Sequence, residues 1–262
     1  MEDYTADISS RFSRDGIVVI DQAVIPPDMV NAAFDAAGAV RAGIYGTDVP
    51  PNGTHGCGEG QLCKINDAHI ADRDIYRLVT SREIGQLAAT ATRASMVQVW
   101  ATQLLIKPPT KGDAANVGWH QDRQYWQSWD EPDGLLTAWV ALSQVRESSG
   151  PVRFVVGSHA WGFLDSGDFF ASDNDSIRNG IPVPDGERWE ETAAVLPPGG
   201  VSFHHSLTYH GSGPNVSRDD RVSVAIHLRT EKAHPVADYP DPYVTLSHLD
   251  DPAVCPVIYE ST

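Results

Sequence analysis

The chain has 262 residues, 41% of them hydrophobic, and a formal net charge of −16. That is the size of one large domain with a substantial core and the composition of a soluble globular protein. No apolar run is long enough to span a bilayer, and 19 scattered Lys and Arg against 35 Asp and Glu argue against a nucleic-acid partner.

The opening "MEDYTADISSRF" has no basic region followed by an apolar stretch, so the expected location is cytoplasmic. Cys57, Cys63 and Cys255 are an odd set, and the spacing of the first two fits no common zinc pattern. Free thiols are expected rather than a disulfide framework.

In chain order, Ile17–Ile20 reads as a short strand, followed by a helix from Pro27 to Val40 with Met29, Ala33, Phe34 and Ala37 at helical spacing. Residues 43–61, rich in Gly and Pro, read as loop. "DIYRLV" predicts a short helix, and "TSRE", with capping-box spacing from Thr80 to Glu83, opens another. After residue 95 the pattern becomes strand-like. "MVQVWATQLLIKPP" is stopped by two prolines, and "LLTAWVALSQV" alternates Leu136, Ala138, Val140 and Leu142 against Thr137, Trp139, Ala141 and Ser143. "PVRFVVGSH", "AAVLPPGGVSFHHS" and "RVSVAIHLR" continue at short intervals. Helices first and strands after predict an α+β chain whose catalytic half is a β-sandwich or barrel. No internal repeat divides it, so 1–262 is read as a single domain. The acidic stretch 162–191 reads as a lid or insertion loop, and 232–262 as an irregular tail.

"GWHQD" places His120 and Asp122 at equal parity on an extended segment, so both side chains leave the same face. Two ligands of one metal require this. A third could come from His55, His69, His159, His204, His205, His210, His227, His234 or His248. His210 stands out because it leaves a strand for the Gly/Pro/Asn-rich "HGSGPNVSRDDR", with Arg221 just beyond. Two His and one carboxylate suit a non-haem Fe(II) site with open coordination positions. A lone His-x-Asp is more often a surface hydrogen-bonded pair, and a lone Arg a salt-bridge partner; the joint pattern is what carries weight.

"WHQD", "LLTAWVAL", "SSGPVRFVVGSHAWG" and "HGSGPNVSRDDR", with "FSRDGIVVI" and "QLLIKPP", resemble the phytanoyl-CoA dioxygenase family of Fe(II)/2-oxoglutarate-dependent oxygenases. The resemblance implies a double-stranded β-helix, a cupin-like jelly roll, with flanking N-terminal helices. It implies that His120, Asp122 and His210 hold the iron. Arg221 would pair with the distal carboxylate of 2-oxoglutarate through its planar fork, with Ser212 bonding the same group. Lys64, Gln103 and Trp139 match positions around the cosubstrate. The implied reaction consumes O2 and 2-oxoglutarate, releases succinate and CO2, and oxidises an unactivated C–H of a small organic molecule. Hydroxylation is favoured because Asp122 is present where halogenating relatives lack a carboxylate; cyclisation, desaturation and epimerisation are further outcomes. A natural-product tailoring role is mildly preferred. A zinc hydrolase or isomerase on a cupin-like barrel, and a non-catalytic binding protein, are the alternatives. Arg221 and Lys64 weigh against the hydrolase, which has no use for a dicarboxylate anchor.

Among the remaining residues, Tyr125, Trp126 and Trp129 fit core packing at least as well as a substrate wall. Arg123 is expected in an exposed salt bridge. His204 and His205 are adjacent, so at most one faces inward, and a structural hydrogen-bonded role is expected for either. His159 is expected to order a turn.

Overall fold

The computed structural model describes residues 2–237, 239 and 244–261. The N-terminal half supplies helices and a short hairpin: α1 (Glu2–Asp15), β1 (Ile17–Ile20), α2 (Pro27–Arg41), β2 (Gly53–His55), β3 (Cys63–Asn66), α3 (Ala68–Ala71), α4 (Arg73–Val79) and α5 (Arg82–Thr92). The rest is mainly strand: β4 (Met96–Lys107), β5 (Val117–His120), β6 (Leu135–Ala141), β7 (Arg153–Val155), a short α6 (Asn174–Gly180), β8 (Glu191–Ala193), β9 (Val201–His205), β10 (His210–Ser212), β11 (Arg221–Thr230) and β12 (Val257–Glu260). The larger sheet runs β1-β9-β6-β11-β4-β3-β2, with β12 added beside β4; the smaller runs β5-β10-β7-β8. Neighbouring strands are antiparallel in both. The α+β jelly roll read from the sequence is the observed architecture.

The alternation of β6 and β11 sorts their side chains between two layers. Leu136, Ala138, Val140, Val222, Val224, Ile226 and Leu228 face the helices and form the main core with Val30, Ile75, Leu78 and Ile84. Trp139, Ala141 and Ala225 face the smaller sheet and meet Val152 and Phe154. The helices therefore seal one face of the large sheet, and the space between the sheets is left for the site.

Several elements differ from the sequence reading. Helix α2 begins with Pro27 at its first turn, where no N–H is needed; its buried face is Val30, Ala33, Ala36, Ala37 and Val40, while Phe34 is exposed. The N-cap of α5 is Ser81, whose Oγ accepts from Ile84 N, because the Thr80 hydroxyl donates to Tyr76 O in the preceding helix. Helix α1 had no sequence assignment; it packs along α5, with Arg93 Nε donating to Ser9 Oγ at 2.8 Å. The tail is not wholly irregular, since β12 pairs with β4 and Gln98 donates to the carbonyls of Leu249 and Cys255.

The loop 43–61 contains β2, and this corrects the cysteine reading. His55 pairs with Lys64 in the β2–β3 hairpin, so the cysteines sit at the two ends of its turn and are joined as a Cys57–Cys63 disulfide. Gly56, at φ +70°, keeps the turn tight: a Cβ there would strike the Leu62 carbonyl. Cys255 is buried, with its thiol near the Trp100 carbonyl.

Candidate metal centre

Strands β5 and β10 pair so that His210 lies directly opposite His120. Asp122 follows in the tight turn that ends β5. His120, Asp122 and His210 are all buried, and one ligand atom from each lies within 4.8 Å of the others. Nε2 of His120 and of His210 stand 3.8 Å and 3.7 Å from Asp122 Oδ1.

The backbone fixes the protonation pattern that a metal needs. His120 Nδ1 lies 2.8 Å from the Gly118 carbonyl and His210 Nδ1 lies 2.9 Å from the Thr208 carbonyl. A carbonyl only accepts, so each Nδ1 carries the hydrogen and each Nε2 presents a lone pair to the space it shares with Asp122 Oδ1. Burial holds both imidazoles below the usual histidine range, His210 furthest. Burial opposes the charge on Asp122, but the imidazoles of His210, His204 and His227 outweigh it and hold this carboxyl well below the ordinary carboxylate range. The cluster is thus two neutral imidazoles and one carboxylate, a donor set that fits Fe(II) and leaves coordination positions open.

The other oxygen of Asp122 is held from behind. A cross-strand row places Thr137 opposite His204 on one side and His227 on the other. Thr137 Oγ1 donates to Asp122 Oδ2 at 2.9 Å, and His204 Nε2 lies 3.2 Å from the same oxygen. His227 Nδ1 lies 3.0 Å from Thr137 Oγ1. His204 does face inward and His205 outward, toward Asp133. His204 supports the Asp122 carboxylate, which its sequence setting does not disclose.

The cavity at the cluster is lined by Gln103, Trp139, Ser212, Arg221, Ala225 and His227 among others. Arg221 is 1% exposed, with Nη1 donating to Gly150 O at 2.7 Å and its guanidinium 5.2 Å from the Trp139 ring centroid. Among the described residues its Nε is buried without a hydrogen-bond partner, and the guanidinium has no carboxylate partner. Burial draws it down to about 9. A buried cation with an unused donor is suited to receive a carboxylate.

Lys107 had no sequence assignment of its own. It lies opposite Arg221 across β4–β11, is fully buried, and donates to Ser212 Oγ at 2.7 Å and Gly213 O at 2.6 Å. Burial pushes its ammonium well below the usual lysine range, and Arg221 pushes it the same way. The only signal was its place at the strand end before two prolines. Lys64 is not among the residues lining the cavity. Its Nζ stands 4.6 Å over the ring of Phe169, which itself lines the cavity.

The segment 162–191 closes over β5. Asp168 N donates to Trp119 O and Gly118 N to Phe169 O, and the Phe169 ring meets His120 at 5.1 Å. Gly118 permits this approach, since a Cβ there would strike the Asp168 carbonyl. Trp126 and Trp129 are buried against Trp100, so they pack rather than line the cavity. Tyr125 Oη accepts from Phe169 N. Arg123 is not in an exposed ion pair; it donates to the carbonyls of Trp126 and Trp129 and braces the turn after Asp122. His159 Nε2 meets the Ser13 carbonyl and its ring packs beneath Gly16, joining the helix end to the turn.

A jelly roll with a buried His₂–carboxylate cluster carries the donor set of a mononuclear non-haem iron site. The family model for phytanoyl-CoA dioxygenase matches residues 12–223, and the chain belongs to that family. A probable alpha-ketoglutarate-dependent hypophosphite dioxygenase of Stutzerimonas stutzeri is 27% identical over 181 residues, covering 67% of this chain and 59% of the relative. The dioxygenase olcK of Penicillium canescens is 26% identical over 147 residues, covering 54% of this chain and 42% of its own. The chain thus spans less than two thirds of the length of these curated relatives. Among solved structures, the alpha-ketoglutarate-dependent carbocyclase SnoK from nogalamycin biosynthesis superposes with a TM-score of 0.73 at 23% identity, over 96% of this chain and 95% of that one. The epimerase SnoN, in complex with Fe3+, alpha-ketoglutarate and nogalamycin RO, superposes with a TM-score of 0.72 at 23% identity, over 94% and 95%. At these identities the likeness to solved structures establishes the fold. No helix among the described residues is long and apolar enough to cross a membrane.

Proposed function

We propose that this chain is an Fe(II)- and 2-oxoglutarate-dependent dioxygenase that oxidises a C–H bond of a small organic molecule. The observation that carries the reading is one cavity with a convergent His120–Asp122–His210 cluster and a buried Arg221 whose Nε has no partner. Family membership supports the same class.

In this reading His120, Asp122 and His210 hold the iron, and Arg221 with Ser212 receives the distal carboxylate of 2-oxoglutarate. Iron, 2-oxoglutarate and O2 together would supply the oxidising chemistry, with succinate and CO2 released. The residues of this chain do the positioning. Lys107 donates to Ser212 Oγ, which leaves the serine hydrogen for a carboxylate partner. Trp139 and Gln103 wall the cosubstrate side. Thr137 and His204 hold Asp122 so that one oxygen faces the metal. Phe169 and its segment shield His120 from solvent. Relatives on this fold are named carbocyclase and epimerase, so hydroxylation, ring closure and epimerisation all lie within the proposed chemistry, and natural-product tailoring is the proposed setting.

The test is anaerobic addition of Fe(II) and 2-oxoglutarate, followed by oxygen. Wild type is expected to develop the visible metal-to-ligand charge-transfer absorption of a chelated 2-oxo acid and then to release succinate. His120→Ala should do neither. Absence of both signals in wild type, or their persistence in His120→Ala, overturns the proposal.

A further inference from the structure

The row Thr137–His227 carries a consequence for the substrate. Thr137 has one hydroxyl hydrogen, and it goes to Asp122 Oδ2 at 2.9 Å. An ionised carboxylate can only accept, so this direction is fixed. The Thr137 oxygen is then the acceptor for His227 Nδ1 at 3.0 Å, and Nδ1 carries the hydrogen. Burial pushes His227 down to about 4, so the ring is neutral at physiological pH. A neutral imidazole protonated at Nδ1 has a bare lone pair at Nε2. Among the described residues that Nε2 is buried without a hydrogen-bond partner, in a side chain 3% exposed that lines the cavity. Buried polar atoms are ordinarily satisfied.

His227 is also on the far side of the site from the cosubstrate anchor. It shares the inward row of β11 with Arg221, at the opposite end, and at about 3.3 Å per residue the two backbone positions are roughly 20 Å apart. Through Thr137 it adjoins the rear oxygen of Asp122, so it stands at the metal end of the cavity and not at the Arg221 end. Trp126 and Trp100 pack behind its ring, with centroids 4.8 Å and 5.6 Å away, and the cavity wall carries the apolar side chains of Leu105, Val117, Val152, Phe169 and Ala225.

We propose that His227 Nε2 is a substrate-recognition acceptor, selecting a neutral, largely apolar molecule that presents a hydroxyl or amide N–H donor. The inference rests on the dioxygenase reading for its link to turnover, but not for the tautomer. Long-range ¹H–¹⁵N correlation of the histidines tests it, on protein loaded with diamagnetic Zn(II) and 2-oxoglutarate, with His227→Asn for assignment. The expected result is a protonated Nδ1 and a bare Nε2 for His227, becoming a tautomer mixture in Thr137→Val. Benzyl alcohol should move the Nε2 resonance toward the hydrogen-bonded range, whereas benzyl methyl ether, with a similar body and no donor, should leave it in place. One neutral hydrogen bond corresponds to about fivefold to tenfold tighter binding of the alcohol in wild type. That preference should vanish in His227→Asn and return in part in His227→Gln, which again offers an acceptor near the Nε2 position. A hydrogen on Nε2, an Nε2 resonance that both probes move or that neither moves at saturation, or an undiminished preference in His227→Asn overturns the proposal. Failure of 2-oxoglutarate to bind the loaded wild type would instead overturn the dioxygenase reading, leaving the tautomer measurement intact.

Discussion

Replacing Arg221 by Ala separates the cosubstrate anchor from the metal site. The guanidinium spends Nη1 on Gly150 O and keeps Nε without a protein partner. A carboxylate docking on the remaining edge gains two charge-assisted hydrogen bonds, each of about 1.5–3 kcal/mol. Their loss amounts to about 3–6 kcal/mol, and at about 1.4 kcal/mol per factor of ten this is at least a hundredfold in 2-oxoglutarate affinity. The metal should hold as before, because Arg221 touches none of the three ligands. Nor should the fold collapse, since the substitution removes a buried cation that has no carboxylate partner among the described residues. Arg221→Lys restores charge without the fork and should recover only part of the affinity. Calorimetric titration of 2-oxoglutarate into Zn(II)-loaded protein, with metal content measured alongside, decides the matter. Binding within threefold of wild type, or parallel loss of metal, would refute the reasoning.

Thr137→Val keeps the shape and removes the hydroxyl that holds Asp122 Oδ2; metal affinity should fall by about tenfold to a hundredfold, read by competition with a chromophoric chelator, while 2-oxoglutarate binding at saturating metal stays near wild type. His227 gives a pH signature in metal-free protein. Its folded value is pushed from 6.5 to about 4, so below pH 6.5 the unfolded chain takes up a proton that the folded chain refuses. Stability should therefore drop as pH falls from 6.5 toward 4, by about 1.4 kcal/mol per pH unit from this group. His120 and His210 act in the same sense; urea unfolding at pH 5 and pH 7 should show a smaller difference in His227→Gln than in wild type, and an unchanged difference would contradict the assignment. Gly118→Ala drives a methyl into the Asp168 carbonyl and should lift the 167–171 segment, seen as faster amide exchange at Asp168 and Gly118; protection equal to wild type would count against the packing described. Lys107→Met removes the donor that orients Ser212 and should raise the KM for 2-oxoglutarate several-fold with less change in kcat; an unchanged KM would remove Lys107 from the anchor.

The legible parts of this molecule were those written locally. The period of two in β6 and β11 put Leu136, Val140, Val224 and Leu228 in one layer and Trp139, Ala225 and Arg221 in the other, and the structure keeps that division. His120 and Asp122 were found because their spacing is short, and His210 and Arg221 because they flank a turn-rich segment. What was not legible depends on pairing between distant segments. Nothing along the chain says that Thr137 will stand between His204 and His227, or Lys107 beside Arg221; those neighbours are set by strand register. The Cys57–Cys63 bond needed the β2–β3 hairpin, which two brief strands in a Gly-rich stretch did not announce. Short strands hide because three residues cannot display a period: β7 lies inside the longer "PVRFVVGSH", and β10 reads as the turn after a strand.

Strand β11 works as a graduated rule. Its inward residues mark off the proposed anchor at Arg221, a small-residue interval at Ser223 and Ala225, and the proposed acceptor at His227 in steps of the pleat. A slip of the whole strand by one residue would swap the inward row for Val222, Val224 and Ile226, and a one-residue insertion inside the interval would turn one end of the row outward. The irregularity in its pairing with β4 falls between His227 and Leu228, immediately after the last mark. The extra residue there is Trp100 of β4, while the pairing of β11 with β6 runs through the same point without a shift, so β6 holds the register of the inward row.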